Sequence, residues 1–324
     1  MIEVNHLVKE YHISKRQSGL KNAFKALFVH DDTVVRALND VSFKIDDGEI
    51  VGYIGPNGAG KSTTIKTLCG ILTPDSGSCL VNGYVPWKDR RAYVKDIGVV
   101  FGQRSQLWWD VPIIDSFDLI KDIYSIDTSE YKKNLDELSQ LLNLCEIMKT
   151  PTRNLSLGQR MKCEIAASLL HNPRILFLDE PTIGLDAVSK LAVRDFIKRI
   201  NKEKNTTVIL TTHDMQDIEA LTERVMLIGK GEILLDGSMN ELKRKVSDKK
   251  KIIVKYKGNR PEICDWMSVD EEKENEITIS FCPKTISASD CITYLLKQVE
   301  IVDLEVFDIS ADEMVAKLYE EYHI

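Results

Sequence analysis

The chain has 324 residues, with 50 acidic against 43 basic side chains and a formal net charge of −7. That length is more than one small core holds and predicts a large domain with a smaller companion, and the acidic balance excludes a protein whose main partner is nucleic acid. No apolar run approaches the roughly 20 residues of a membrane span, and the opening residues MIEVNHLVKEY lack a signal-peptide core, so the expectation is a cytoplasmic chain that meets a membrane through a partner.

In chain order, residues 2–8 and 34–45 alternate apolar and polar, as edge strands do. Between them Leu20, Phe24, Leu27 and Phe28 fall on one helical face flanked by Lys21 and Lys25. Two readings stand for residues 15–28: a basic amphipathic helix on a membrane or partner surface, or a helix packed on its own domain. Residues 50–54 are a buried-strand run. The next residues, Gly55-Pro-Asn-Gly-Ala-Gly60-Lys61-Ser62, fit G-x-x-x-x-G-K-[ST] before a helix. Glycines let backbone N–H groups wrap phosphates, and the helix start adds positive dipole. Gly55, Asn57, Gly58, Gly60, Lys61, Ser62 and Thr63 are therefore the expected nucleotide-binding residues, with Lys61 on the phosphates and Ser62 on Mg²⁺.

Residues 94–102 read as a strand, and 110–150 as a helical insertion rich in Leu and Ile. Trp108 and Trp109 precede it, either as a groove for a partner's helix or as core of the insertion. At 155–159, LSLGQ opens a helix with residue types suited to phosphate. Residues 174–179 are an apolar strand from which Asp179 emerges, followed by Glu180. Asp179 is placed to hold the hydration shell of Mg²⁺ and Glu180 to take a proton from water. Residues 206–212 form another strand, and 225–228 with 232–236 a hairpin.

Near residue 240 the character changes. A basic linker over 241–251 leads to strands at 252–256 and 276–281, a helix at 288–299, a strand at 301–309 and a helix at 311–322. Ser310 with Glu313 predicts a capping box for the last helix. Seven scattered cysteines, without a C-x-x-C, read as reduced thiols. The predicted fold class is α/β: a P-loop domain over 1–240 with a largely parallel core sheet and a helical insertion, then a small α+β domain over 252–324.

The ordered set of P-loop, Gln103, LSLGQ at 155–159, LFLDEP at 176–181, IGLD at 183–186 and His213 resembles the nucleotide-binding subunit of an ABC transporter over residues 1 to about 240. The finer likeness is to ABC-2-type export ATPases of the antibiotic-resistance branch, which often carry a C-terminal domain. The resemblance implies an ABC-type P-loop ATPase domain with an antiparallel β subdomain and a helical subdomain at about 105–160, and a dimer, with itself or a similar ATPase, around two ATP·Mg²⁺, coupled to separate permease chains at the inner face of the membrane. It implies that Ser156 and Gly158, within LSLGQ and beside Gln159, contact the γ-phosphate of ATP held by a second subunit. It also implies that Gln103 senses Mg²⁺, that His213 contacts the γ-phosphate, that Asp186 bridges the two sites and that Tyr11 stacks on adenine. The usual signature has glycine where Leu157 stands; retained Ser156 and Gly158 predict ordinary helical geometry there and a competent site. Two other readings are a soluble ABC ATPase acting on ribosomes or DNA, and a module that binds ATP without turnover. A single P-loop, the lack of long coiled coils, and the presence of Glu180 and His213 weigh against them.

Overall fold

Runs such as IVGYI, ILFLD and TVILT are apolar almost throughout, which suits strands covered on both faces. The structure, a computed structural model, describes residues 1–14, 32–102, 104–246, 249–308 and 310–324, and the chain divides into two compact units, Met1–Asp236 and Gly237–Ile324. The amphipathic helix expected within 15–28 and the expected site residue Gln103 lie outside the described residues.

In the first unit, β1 (Ile2–Ser14) and β2 (Asp32–Ile45) lead to β3 (Ile50–Ile54), helix α1 (Lys61–Leu68) and β4 (Ser76–Val81). A short α2 (Arg90–Tyr93) precedes β5 (Ile97–Phe101). Helices α3 (Ile113–Tyr124) and α4 (Thr128–Leu142), a 3₁₀ turn at Thr152–Asn154 and α5 (Leu157–Leu169) follow. There follow β6 (Ile175–Asp179), α6 (Ala187–Lys204), β7 (Thr207–Thr211), α7 (Met215–Leu221), β8 (Arg224–Gly229) and β9 (Glu232–Ser238), whose last two residues fall beyond the boundary at Asp236.

Six of these strands form one sheet in the order β5-β6-β7-β3-β8-β9, with β5–β6, β6–β7, β7–β3 and β3–β8 parallel. Lys230 and Gly231, both at positive φ, turn the β8–β9 hairpin. A separate antiparallel sheet has the order β2-β1-β4. Of the two expected edge strands, β2 is one, whereas β1 is central. Alternation marks a strand with one covered face and carries no information on its neighbours. The side chains of Ile2, Val4, Leu38 and Val81 share one core with Tyr53, Ile65, Phe177 and Ile209, so the antiparallel sheet lies over the parallel one.

The second unit adds α8 (Met239–Val246), β10 (Lys250–Lys257), β11 (Met267–Lys273), β12 (Glu276–Phe281), α9 (Ala288–Leu296), β13 (Glu300–Asp308) and α10 (Ala311–Glu321). Its antiparallel sheet runs β11-β12-β10-β13 over a core of Ile252, Val254, Ile277, Ile279, Cys291 and Leu295. The stretch 241–251 is not an extended linker: it contains most of α8 and the start of β10, and Met239 and Leu242 are buried. Few apolar residues fall in this stretch of the sequence, which hides the helical period. At α10 the Ser310 hydroxyl accepts the Glu313 N–H as expected. The Glu313 carboxylate binds Lys251 and Lys317 instead of completing the box.

Candidate functional site

Parallel strands deliver their carboxyl ends to one edge of the sheet, and the loops there gather the polar residues. The chain leaves β3 at Ile54, passes through the P-loop and enters α1 at Lys61. Gly60 sits at φ 114°, and a Cβ there would lie 2.6 Å from the Ala37 carbonyl oxygen, so only glycine fits the turn into the helix. Lys61 is buried; its Nζ donates to the carbonyls of Gly55 at 2.6 Å and Pro56 at 3.1 Å. Burial lowers the Lys61 pKa, and the carboxylates of Glu180 and Asp179 oppose that shift.

Asp179 ends β6 and accepts from Ser62 Oγ at 3.2 Å and from Thr211 Oγ1, at the end of β7, at 2.5 Å. Its backbone carbonyl accepts the Gly102 N–H at 2.8 Å, which fixes the chain leaving β5. Glu180 adopts φ 54°, a left-handed conformation that costs an L-residue about 1–2 kcal/mol. Its N–H is held by the Thr211 carbonyl at 2.9 Å, and its carboxylate lies 3.3 Å from His213 Nδ1. A cavity of about 440 Å³ opens here, lined by P-loop residues with Ala37, Phe101, Arg104, Asp179 and Glu180. A second cavity, about 530 Å³ among Asn82, Asn134, Asn172, Arg174 and Thr207, lies by the amino ends of β6 and β7 and contains none of the predicted residues.

The predicted residues therefore fall into two groups. Asn57, Gly58, Gly60, Lys61, Ser62, Thr63, Asp179 and Glu180 line the first cavity, with His213 beside Glu180. Ser156, Gly158, Gln159 and Asp186 do not line it. Ser156 caps α5: its hydroxyl accepts the Gln159 N–H at 3.2 Å, and Gln159 Oε1 accepts the Ser156 N–H at 2.9 Å, a complete capping box. Leu157 is the first helical residue and has no positive φ, so the departure from glycine carries no backbone penalty. Gly158 packs against the start of α6, where a Cβ would come within 2.3 Å of Ser189 Oγ. Asp186 caps α6 by accepting the Ser189 N–H at 2.8 Å, and the Ser189 bonds hold its carboxyl below the usual range.

Tyr11 lies outside the cavity lining, exposed, with Lys9 Nζ 5.8 Å from its ring centre. Its cross-strand partner is Val35, and a register shift at Ala37 separates that pair from the part of β2 that reaches the cavity. Trp108 and Trp109 are both more than half exposed, so neither is core of the helical block.

Two buried acids escaped sequence reasoning. Asp217 on α7 is wholly enclosed; it accepts from Thr182, from Thr212 at 3.3 Å and from Arg194 Nε at 2.6 Å. It thereby joins the loop after Glu180 to the residue before His213. Glu164 on α5 is also buried and binds Ser105 and Gln106. The signal for each was an acid three or four residues from apolar helix positions, Met161 and Ala167 for one and Leu221 for the other.

The residues fit an ATP·Mg²⁺ complex. The Gly60 cradle and the Lys61 ammonium suit phosphate, and Ser62 and Asp179 offer the hard oxygens that Mg²⁺ takes beside phosphate oxygens.

The ABC transporter family profile matches residues 38–183. Over 209 residues the chain is 33% identical to the ABC transporter ATP-binding protein NatA of Bacillus subtilis, covering 64% of this chain and 85% of NatA. It is 35% identical over 202 residues to the linearmycin resistance ATP-binding protein LnrL of the same organism, covering 62% of this chain and 64% of LnrL. A solved ATP-binding subunit of an ABC transporter superposes with a TM-score of 0.63 at 25% identity, covering 76% of this chain and 92% of that one. With the phosphate loop, the Asp179–Glu180 strand end and these likenesses together, the chain belongs to the ATP-binding proteins of ABC transporters.

Proposed function

We propose that the chain is the ATP-hydrolysing subunit of an ABC-2-type exporter, working as a dimer around two ATP·Mg²⁺ against separate permease chains. The observation that carries this reading is the division of the motif residues. One group surrounds a single cavity, while the LSLGQ start stands outside it. A helix start with a glycine and a hydroxyl suits phosphate, and it completes a site only on another copy, in a reciprocal two-fold arrangement. The drug-resistance role of LnrL favours export for this chain. The absence of any helix long and apolar enough to cross a membrane among the described residues is in keeping with permeases on other chains.

In this reading Lys61 and the P-loop amides hold the β- and γ-phosphates in line for attack. Ser62 and Asp179 would hold Mg²⁺, with Gln103 as its sensor, and the ion would supply neutralisation of charge on the phosphate oxygens. Glu180 accepts a proton from water as the water oxygen bonds to the γ-phosphorus and the bridging P–O bond to ADP breaks. His213, against Glu180, contacts the γ-phosphate and keeps the base oriented. Ser156 and Gly158 of the second copy close the open side, Asp186 links the two sites, and Tyr11 stacks on adenine. Hydrolysis removes the γ-phosphate that joins the halves, a two-state element the permeases read.

Replacing the base tests the reading. Glu180→Gln should lower turnover about 10²–10⁴-fold, leave nucleotide binding intact and convert monomer to a stable dimer on addition of ATP·Mg²⁺, seen by light scattering. A variant that binds ATP yet stays monomeric overturns the dimer.

A further inference from the structure

The loop that leads from β5 to α3 is laid along the segment that contains LSLGQ, and no step of the proposed hydrolysis uses this arrangement. Thr152 N–H donates to the Val111 carbonyl at 3.3 Å and Arg153 N–H to the Trp109 carbonyl at 3.1 Å. The Arg153 guanidinium pairs with Asp110 at 2.7 Å. One and two turns into α5, two side chains on one helical face continue the contact. The Arg160 guanidinium carbon stands 6.0 Å from the centre of the Trp109 ring. Glu164, only 4% exposed, accepts from Ser105 Oγ and, at 3.1 Å, from the Gln106 N–H. Gln106 Nε2 returns a bond of 2.8 Å to the Glu164 carbonyl, and Ser105 Oγ accepts the Leu107 N–H at 3.1 Å. The outer side of the same loop presents Trp108 and Trp109, 58% and 52% exposed.

We propose that Glu164 is a positioning residue that makes the loop 105–111 move as one body with the start of α5, so that docking of Ser156 and Gly158 onto ATP in a second copy is carried to the Trp108–Trp109 surface. This rests on the reading of LSLGQ as half of a second copy's site. A carboxylate is suited to the task. It is acceptor-only when ionised, so it takes the hydroxyl and the amide of a turn at once, without a donor of its own to place. Its burial means that neither bond is shared with bulk water, and a displaced loop would leave a buried acceptor unpaired. Burial raises the Glu164 pKa, and the bonds from Ser105 and Gln106 oppose that shift. Among the described residues, the Glu164 carboxylate and the Gln106 bond to the Glu164 carbonyl tie residues 105 and 106 to α5, whereas the other contacts fasten residues 109–111 to 152–160.

The test uses the full chain carrying Glu180→Gln, with hydrogen exchange read by peptide with and without ATP·Mg²⁺. ATP should slow exchange in two segments, 155–160 and 104–112. With Glu164→Ala added, slowing at 155–160 should persist and slowing at 104–112 should be lost. Ser105→Ala removes one arm without opening a cavity and should lose part of it, which keeps the test decisive where Glu164→Ala does not fold. Full ATP-dependent slowing at 104–112 in both variants overturns the role of Glu164. Failure of ATP to slow exchange at 155–160 in the parent overturns the dimer reading itself, and this proposal with it.

Discussion

Asp217 shows how a residue remote from the phosphates shapes the site. It holds Thr182, two residues beyond Glu180, and Thr212, next to His213, while it neutralises Arg194. Removing the carboxylate leaves a buried guanidinium opposed only by Asp214, 3.9 Å away. Asp217→Ala should therefore cost about 3–5 kcal/mol in urea unfolding. Thr182→Val removes only the arm on the Glu180 loop and should cost about 1–3 kcal/mol, with kcat for ATP falling while KM holds. His171 gives a pH prediction. Its Nε2–H donates to the Ile97 carbonyl at 2.9 Å, its ring stacks on Tyr124, and its buried Nδ1 has no partner. Burial holds its pKa below the ordinary 6.5. The unfolded chain thus takes up the proton first on acidification. The stabilising contribution is complete above the unfolded value and is lost as pH falls through it toward the depressed native one. The urea midpoint should drop between about pH 7.5 and about pH 5.5, and His171→Gln should shrink that drop.

At the scale of elements, the start of α5 separates two demands on one motif. The capping box needs Ser156 and Gln159; close packing on α6 needs Gly158; position 157 needs neither. Leu157→Gly should lower stability by up to about 1 kcal/mol and leave ATPase largely intact, whereas Ser156→Arg should abolish ATPase, both read by phosphate release. This element was legible because spacing alone carries a phosphate loop and a capped helix start. Others were not. β4, SGSCLV, has serine and glycine where strand formers are expected, and β11, MSVDEEK, is largely charged and exposed; each is a strand because a neighbour supplies the hydrogen bonds. The helix α8 was hidden by its lysines, and the central place of β1 is set by pairing with β4, more than sixty residues away. Glu164 and Asp217 look like ordinary surface acids until their helix phase is compared with burial.

For the whole molecule, the two units have separate cores, one built on Tyr53, Phe177 and Ile209 and the other on Ile252, Ile277 and Leu295. All of the residues assigned to nucleotide chemistry belong to the first. Its sheet is assembled from strands far apart in the chain, β3 between β7 and β8, so the site exists only once the whole unit has folded. Global stability and chemistry then meet at the left-handed backbone of Glu180. Glycine accepts that conformation freely, so Glu180→Gly should raise the melting temperature, by an amount equivalent to about 1 kcal/mol, while turnover disappears. Selection for heat resistance alone would discard Glu180, and under the proposed role as base the glutamate stays only where selection also acts on turnover.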